Sequence, residues 1–298
     1  MTRASSFILL LLFSLSAPAK TFELPIRYSK LLAGHGFPSP LVQAYLNGKS
    51  GVFLIDSGAS VSVISKWFSD SARIRQDEDT SLGTSNGRVS AAGIAKVRLR
   101  FKNRSGALVF SRIQVVTIVA LPKEFEDNGI AGILSPQQLL QKHETCVLNL
   151  SEPSLKIETR SSIFTPGSSS LEVAIAAGPG GINSILYTLP ARLVNKSLML
   201  IVDTGASHVA VGRETSVGLA LFPNSVPTSE KVEGIDGKAE EVRLVANAEL
   251  KAAGRAFATD IRIQPISKKM PADGMAGMQF LRRCTLFLSQ NDGQIFCP

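Results

Sequence analysis

"LMLIVDTGASHVAV", from Leu198 to Val211, places an acid directly after five apolar residues. Asp203 begins the turn sequence Asp-Thr-Gly-Ala-Ser, and a second apolar run follows. A single Asp in this context can simply cap a turn by accepting backbone N–H bonds. The meaning of this acid therefore depends on whether the chain repeats the pattern.

The pattern occurs a second time, earlier in the chain. "GVFLIDSGASVSVI", from Gly51 to Ile64, places Asp56-Ser57-Gly58-Ala59-Ser60 between two apolar runs in the same way. Two copies with matching flanks indicate an internal duplication.

The flanking sequence repeats in the same order. Upstream, a polar turn separates two apolar runs at Asn47-Gly48 and more weakly at Asn195-Lys196, which predicts two hairpins. Downstream, "NGIAGILSPQQLL" begins at Asn128 and "DGMAGMQFL" at Asp273, and a terminal strand pair follows each. Gly132 lies 76 positions after Asp56 (132 − 56), and Gly277 lies 74 after Asp203 (277 − 203). This spacing favours Gly132 and Gly277 as equivalent positions.

Length and composition allow two folded units. With 298 residues, of which 44% are hydrophobic, each repeat of about 130 residues can enclose its own core. Alternating and continuous apolar runs predict an all-β fold of two pseudo-twofold-related, barrel-like lobes with few short helices. The best helix start is Ser135-Pro136, with Ser135 as N-cap. The predicted boundaries are a signal peptide at 1–19, an N-terminal lobe at 20–160, a linker at 161–170 and a C-terminal lobe at 171–298.

The amino end and the cysteines favour export. Arg3 precedes an apolar run too short for a comfortable membrane span, and Ala17-Pro18-Ala19 offers a cleavage site. We therefore expect a periplasmic or secreted protein without stable membrane insertion after cleavage; an uncleaved anchor is the alternative. Cys284 and Cys297 flank a predicted hairpin and can form a disulfide, while a bridge from Cys146 to Cys284 is the alternative.

Composition also argues against several classes of function. The formal charge is +8, but Lys and Arg are dispersed without interleaved aromatic residues, so we expect no nucleic-acid partner. The three histidines have no ligand spacing with cysteines or acids, so no metal is predicted, and no cofactor either.

The duplicated acids predict a specific chemistry. Two turns related by duplication can bring Asp56 and Asp203 together at a pseudo-twofold axis. Carboxylates a few ångströms apart do not both ionise cheaply, so one keeps a proton and the other is charged. Such a pair can bind a water, accept its proton as it attacks a carbonyl, and donate a proton to the carbonyl oxygen, without a covalent intermediate.

"FLIDSGAS" and "LIVDTGASHVAV" resemble the catalytic signatures of aspartic proteases, the pepsin and retropepsin group, and the similarity runs over about residues 22–296. It implies an aspartic endopeptidase that binds a polypeptide in a cleft between its lobes, with Asp56 and Asp203 as the catalytic pair. It also implies that Ser57 and Thr204 brace the loops across the axis and that Gly58 and Gly205 permit the turns. "GIAGIL" and "GMAGMQ", with Gly132 and Gly277, resemble the segments that support these loops from beneath. A chain with both half-sites has no need to dimerise, so a monomer is expected.

The chain departs from that pattern at the flap, the hairpin that covers the cleft. The pepsin flap usually presents a Tyr, whereas the candidate here, Gly83 to Gly93, contains no aromatic residue. The candidate flap residues of the two repeats are Gly83, Asn86, Gly87, Gly234, Asp236 and Gly237.

Two other functions remain open at this point: a weakly active or inactive peptide-binding module on the same fold, and a phosphoryl-transfer enzyme with an Asp nucleophile. The second predicts only one Asp loop, and the duplication argues against it. Ala at positions 59 and 206 removes a possible hydroxyl donor to the acids, which should leave them less acidic than the acids of pepsin. We therefore predict a pH optimum of about 4 to 6.

Overall fold

The computed structural model describes residues 21–28, 38–83, 89–103, 105–159, 166–177, 183–233 and 239–298. The predicted signal peptide lies outside them. So do residue 160 and residues 161–165 of the predicted linker, and β12 already begins at Ser169, within that linker.

Strands dominate both halves of the described chain. The first half contains β1 (Phe22–Pro25), β2 (Arg27–Tyr28), β3 (Pro40–Leu46), β4 (Lys49–Ile55), β5 (Val63–Ser65), β6 (Glu78–Gly83), β7 (Val89–Lys102), β8 (Leu108–Val119), β9 (Ile130–Leu134), β10 (Glu144–Asn149) and β11 (Ser154–Thr159). The second half contains β12 (Ser169–Ala177), β13 (Asn183–Leu193), β14 (Lys196–Val202), β15 (Val209–Gly212), β16 (Val226–Glu233), β17 (Ala239–Ala252), β18 (Arg255–Gln264), β19 (Gly274–Ala276), β20 (Thr285–Ser289) and β21 (Gly293–Phe296).

The two repeats share one strand order. In lobe 1 the strands pair in the order β3-β4-β9-β5-β8-β7-β6, and in lobe 2 in the order β13-β14-β19-β15-β18-β17-β16. Extra pairings of β3 with β7 and of β13 with β17 curl each sheet back on itself. The all-β, two-lobed, barrel-like prediction is therefore confirmed.

A shared sheet joins the lobes. Its order is β1-β11-β10-β20-β21-β12, so the terminal strand pair of one repeat lies beside that of the other. β10 and β20 run antiparallel at its centre, with Val147 opposite Phe287. The pseudo-twofold axis expected from the duplication passes between these two strands.

Helices in the described chain are short, as the sequence predicts. They are α1 (Lys66–Ser71), α2 (Lys123–Asp127), α3 (Ser216–Leu221), α4 (Met278–Leu281) and 3-10 turns at Pro136–Leu139 and Phe222–Asn224. None has both the length and the apolar character needed to cross a bilayer. Ser65 and Thr215 cap α1 and α3 at equivalent positions by accepting N–H bonds from Phe68 and Gly218.

Two local predictions were wrong. The short helix expected after Ser135 begins there as predicted, but it is a 3-10 helix, and the Ser135 hydroxyl accepts no capping hydrogen bond. The turn between β13 and β14 is Val194-Asn195 rather than Asn195-Lys196, since these two residues take φ of 47° and 63°. The first hairpin is as predicted, with φ of 48° at Asn47 and 91° at Gly48.

The disulfide joins Cys284 to Cys297, at either end of the β20–β21 hairpin. The alternative bridge to Cys146 is wrong, because Cys146 lies buried in β10 as a free thiol opposite Leu288. Burial raises the pKa of that thiol to about 12.

Candidate active site

Asp56 and Asp203 occupy equivalent positions at the ends of β4 and β14. Each strand is central in its lobe and buried as it reaches the acid, which explains its continuous apolar run. The N–H of Asp56 donates to the carbonyl of Leu134 at 3.0 Å, and that of Asp203 donates to Ala276 at 3.1 Å. Backbone hydrogen bonds therefore fix where each acid leaves its sheet.

Each acid loop turns back onto its own carboxylate. Oδ1 of Asp56 accepts from the N–H groups of Gly58 (2.8 Å) and Ala59 (3.2 Å). Oδ1 of Asp203 accepts from Gly205 and Ala206, both at 2.9 Å. In each acid, Oδ1 accepts the two loop N–H bonds, so the two carboxylates have the same orientation relative to their loops.

The glycines bring the two loops into contact. A Cβ added to Gly58 would lie 2.4 Å from the carboxyl carbon of Asp203, and one added to Gly205 would lie 2.5 Å from Oδ2 of Asp56. The carboxyl groups thus pack against the opposite loop and lie within hydrogen-bonding reach of each other. Both acids keep part of their surface accessible to solvent.

Ser57 and Thr204 link the loops across the axis. Ser57 Oγ donates to the carbonyl of Val202 (2.6 Å) and accepts from the N–H of Thr204 (3.2 Å). Thr204 Oγ1 donates to the carbonyl of Ile55 (2.7 Å) and accepts from the N–H of Ser57 (3.0 Å). Both side chains are fully buried. These four bonds, which we call the interlobe lock, have the geometry that the resemblance implied for this pair.

The pKa of each acid is raised. Burial, the largest cause, raises the pKa of Asp56 above its ordinary value, against the hydrogen bonds donated by Gly58 and Ala59. Burial raises the pKa of Asp203 well above its ordinary value, and the neighbouring Asp56 charge raises it further. A buried carboxyl pair in contact favours a state with one proton between the two groups.

The supporting strands correct one prediction from spacing. β9 and β19 lie parallel to β4 and β14, but Phe53 is opposite Gly132 while its equivalent Leu200 is opposite Gly274. Gly132 and Gly277 are therefore not equivalent. The residue equivalent to Gly277 is Ser135.

Close contacts show that Gly132 and Gly274 occupy the same place in the two lobes. A Cβ at Gly132 would lie 2.2 Å from the carbonyl oxygen of Val63, and one at Gly274 would lie 2.1 Å from that of Ala210. At Gly277 a Cβ would lie 2.3 Å from the carbonyl oxygen of His208. Gly277 therefore packs against the Asp203 loop at Ala206 and His208, whereas Gly132 packs against β5 at Val63 and Ile64.

Only part of the candidate flap falls within the described residues. Gly83 ends β6 and lies opposite Val89 of β7, so the predicted hairpin strands are paired. In lobe 2, β16 and β17 pair in the same way, with Glu233 opposite Ala239. Asn86, Gly87, Gly234, Asp236 and Gly237 lie outside the described residues.

Sequence reasoning missed two residues that contact the loops. Ser39 Oγ donates across the axis to the carbonyl of Gly205 at 3.3 Å. Gln137 is buried, and its amide nitrogen lies within 3.2 Å of three carbonyl oxygens, two of them in the Asp56 loop. Pro136 has no backbone N–H, and this could have indicated that the neighbouring Gln137 side chain supplies a donor in its place. No group of three or more His, Cys, Asp or Glu side chains within the described residues is arranged to hold a metal ion.

One half of this site lies in a region that is similar to a known family. Residues 42–135, from β3 through Asp56 to the end of β9, match the family model described as aspartyl protease. No curated protein matches the chain. The matched region contains the first acid loop and the strands that position it, so this part of the chain is similar to aspartyl proteases.

Proposed function

We propose that the protein is an aspartic endopeptidase in which Asp56 and Asp203 together activate a water molecule. The observation that carries this proposal is the contact of two equivalent acid loops, with each glycine against the opposite carboxyl group. The match of residues 42–135 to the aspartyl protease model supports peptidase activity in general. The equivalent hydrogen bonds to both carboxylates support a shared role for the two acids.

The protonation states suggest a role for each acid. Asp203, with the more strongly raised pKa, is the protonated partner and donates to the oxygen of the scissile carbonyl. Asp56 is ionised and accepts a proton from the attacking water. The resulting gem-diol intermediate collapses as Asp56 passes its proton to the nitrogen of the leaving amine and Asp203 recovers a proton from a diol hydroxyl. No bond forms between substrate and protein.

The substrate proposed is an extended polypeptide bound between the lobes. A single chain supplies both acids, so a monomer suffices. Export is proposed from the apolar segment at the amino end, and the Cys284–Cys297 disulfide is consistent with an oxidising compartment. The proposed units are the segments 1–19, 20–160, 161–170 and 171–298.

Cleavage of a denatured protein between about pH 3 and pH 7 tests the proposal, with Asp56→Asn and Asp203→Asn as inactive variants. Asp70→Asn is the matched control, because Asp70 lies on the surface in an ion pair with Lys66. We expect each active-site variant to lose activity by at least about 10³-fold and the control to keep it. Equal background rates in wild type and Asp203→Asn, with retained peptide binding, would instead identify a non-enzymatic peptide-binding module.

A further inference from the structure

Gln137 holds the Asp56 loop, residues 56–60, from behind. Its side chain is 1% exposed. The amide nitrogen donates to the carbonyl oxygens of Ala59 (2.9 Å) and Ser57 (3.2 Å), and also to that of Ile185 (2.8 Å) in β13 of lobe 2. One buried side chain therefore contacts both the first acid loop and the opposite lobe.

The duplication shows why this contact exists. Leu134 and Ala276 are equivalent, since each carbonyl accepts from the N–H of an acid. Two positions further on, Pro136 is equivalent to Met278. The N–H of Met278 donates to the carbonyl of Ala206 at 2.8 Å. Pro136 has no N–H, so the equivalent carbonyl in lobe 1, that of Ala59, cannot be satisfied in this way.

Gln137 supplies the missing donor. Its equivalent in lobe 2 is Gln279, whose side chain does not turn toward its own acid loop. When its amide is oriented to satisfy its neighbours, its oxygen accepts from Thr259 Oγ1 (3.0 Å) and its nitrogen donates to the carbonyl of Asp260 (3.2 Å). The same residue type at equivalent positions thus serves the acid loop in one lobe only.

We propose that Gln137 is a positioning residue that replaces the backbone donor lost at Pro136 and thereby fixes the Asp56 loop relative to lobe 2. The carbonyl of Ser57 and the N–H of Gly58 belong to one planar peptide unit. Holding that carbonyl orients the N–H that donates to Asp56. The kinetic part of this inference rests on the proposed endopeptidase function, and the structural part does not.

The test uses the variants Gln137→Met and, as matched control, Gln279→Met. In Gln137→Met the peptide unit that carries the Gly58 N–H loses its fixed orientation, and the loop loses its anchor at the Ala59 carbonyl. We expect kcat to fall roughly tenfold with KM nearly unchanged, since misplaced reacting groups slow chemistry more than binding. The acidic limb of the pH–rate profile should move to higher pH, because weaker N–H donation raises the pKa of Asp56. Gln279→Met should change neither quantity.

A second variant separates positioning from general destabilisation. In Pro136→Met/Gln137→Met a backbone N–H returns at position 136, in the arrangement that Met278 has in lobe 2. We expect this variant to recover part of the shift of the acidic limb and part of kcat. Recovery is partial because the bonds to the carbonyls of Ser57 and Ile185 are not restored.

Hydrogen exchange of the Gly58 and Ala59 amides gives a readout independent of activity. Gln137→Met should speed their exchange at least about tenfold, Gln279→Met should not, and the double variant should restore part of the protection. Unchanged exchange together with an unchanged acidic limb in Gln137→Met overturns the proposal. If the wild type cleaves no substrate, the endopeptidase proposal fails, and the exchange experiment alone decides the role of Gln137.

Discussion

At the scale of single residues, the contact between the acids depends on the glycine two positions after each one. Gly58 and Gly205 leave no room for a side chain, because the opposite carboxyl group occupies the place of the Cβ. Glycine is needed at these positions because the opposite carboxyl group comes so close. The backbone conformation does not require it, since neither glycine has a positive φ.

Gly58→Ala and Gly205→Ala should therefore separate the acids. We expect kcat to fall roughly 10²-fold in each, because a displacement of about 1 Å suffices for such a loss. Gly254→Ala is the control: Gly254 has φ of 73° with open space around it, so alanine there adds backbone strain without touching the acids. Its stability should drop by about 1 kcal/mol while kcat stays the same. Steady-state kinetics and denaturant unfolding measure both effects, and a Gly58→Ala protein of wild-type kcat would contradict the assignment.

The raised pKa of Asp203 also predicts how stability depends on pH. Its folded pKa lies above the ordinary 3.8, so the folded protein binds this proton more tightly than the unfolded chain. The resulting stabilisation is complete below about pH 3.8 and is lost as pH rises through the folded pKa.

Asp203→Asn should remove this dependence, so that its free energy of unfolding falls less than that of the wild type as pH rises from about 4 to 7. Asp70→Asn should keep the wild-type slope, since Asp70 is exposed. Urea unfolding at several pH values measures the slopes. If the unfolding free energy of Asp203→Asn depends on pH as steeply as that of the wild type, another group causes the dependence.

At the scale of elements, the β20–β21 hairpin is central to the shared sheet. It pairs with β10 on one side and β12 on the other, and its ends are joined by the disulfide between residues 13 positions apart. A loop of this length loses enough freedom in the unfolded chain to contribute about 3 kcal/mol.

The double variant Cys284→Ala/Cys297→Ala should therefore unfold with a free energy about 2 to 3 kcal/mol lower than the wild type. A reductant should destabilise the wild type to a similar degree and leave the variant unchanged, because Cys146 is already a free thiol. Thermal unfolding with and without reductant tests this. A fully reduced wild type of unchanged stability would show that the hairpin needs no covalent bond.

At the scale of the whole molecule, the lobes are held together by the shared sheet and by the interlobe lock. The lock is fully buried, so the loss of one hydroxyl leaves backbone groups of the other lobe without a partner or water.

Thr204→Val should lower the free energy of unfolding by about 2 kcal/mol, because the N–H of Ser57 and the carbonyl of Ile55 lose their partner. Thr204→Ser keeps the hydroxyl and should lose less than about 1 kcal/mol. Denaturant unfolding compares the two, and equal losses would mean that packing rather than hydrogen bonding matters at this position.

Much of this architecture could be predicted from local sequence. The apolar runs before Asp56 and Asp203 predict central strands, and Asn47-Gly48 predicts a tight hairpin because both residues accept positive φ. The equivalence of Ser135 with Gly277 could not be predicted in the same way. Leu134 lies 78 positions after Asp56 (134 − 56) and Ala276 lies 73 after Asp203 (276 − 203), so the repeats differ in length and a count of residues aligned the wrong glycines.

The sequence by itself determined the duplication, the two acids and the strand content, because these follow from short patterns of apolar residues and turn residues. Only the tertiary structure decided which residues of the two repeats are equivalent, which cysteine pairs with Cys284, and how Gln137 and Thr204 reach the opposite lobe. Those features depend on strand register and on hydrogen bonds between residues far apart in the chain, such as the 147 positions between Ser57 and Thr204. Register is set by the packing of whole sheets, and no local pattern specifies it.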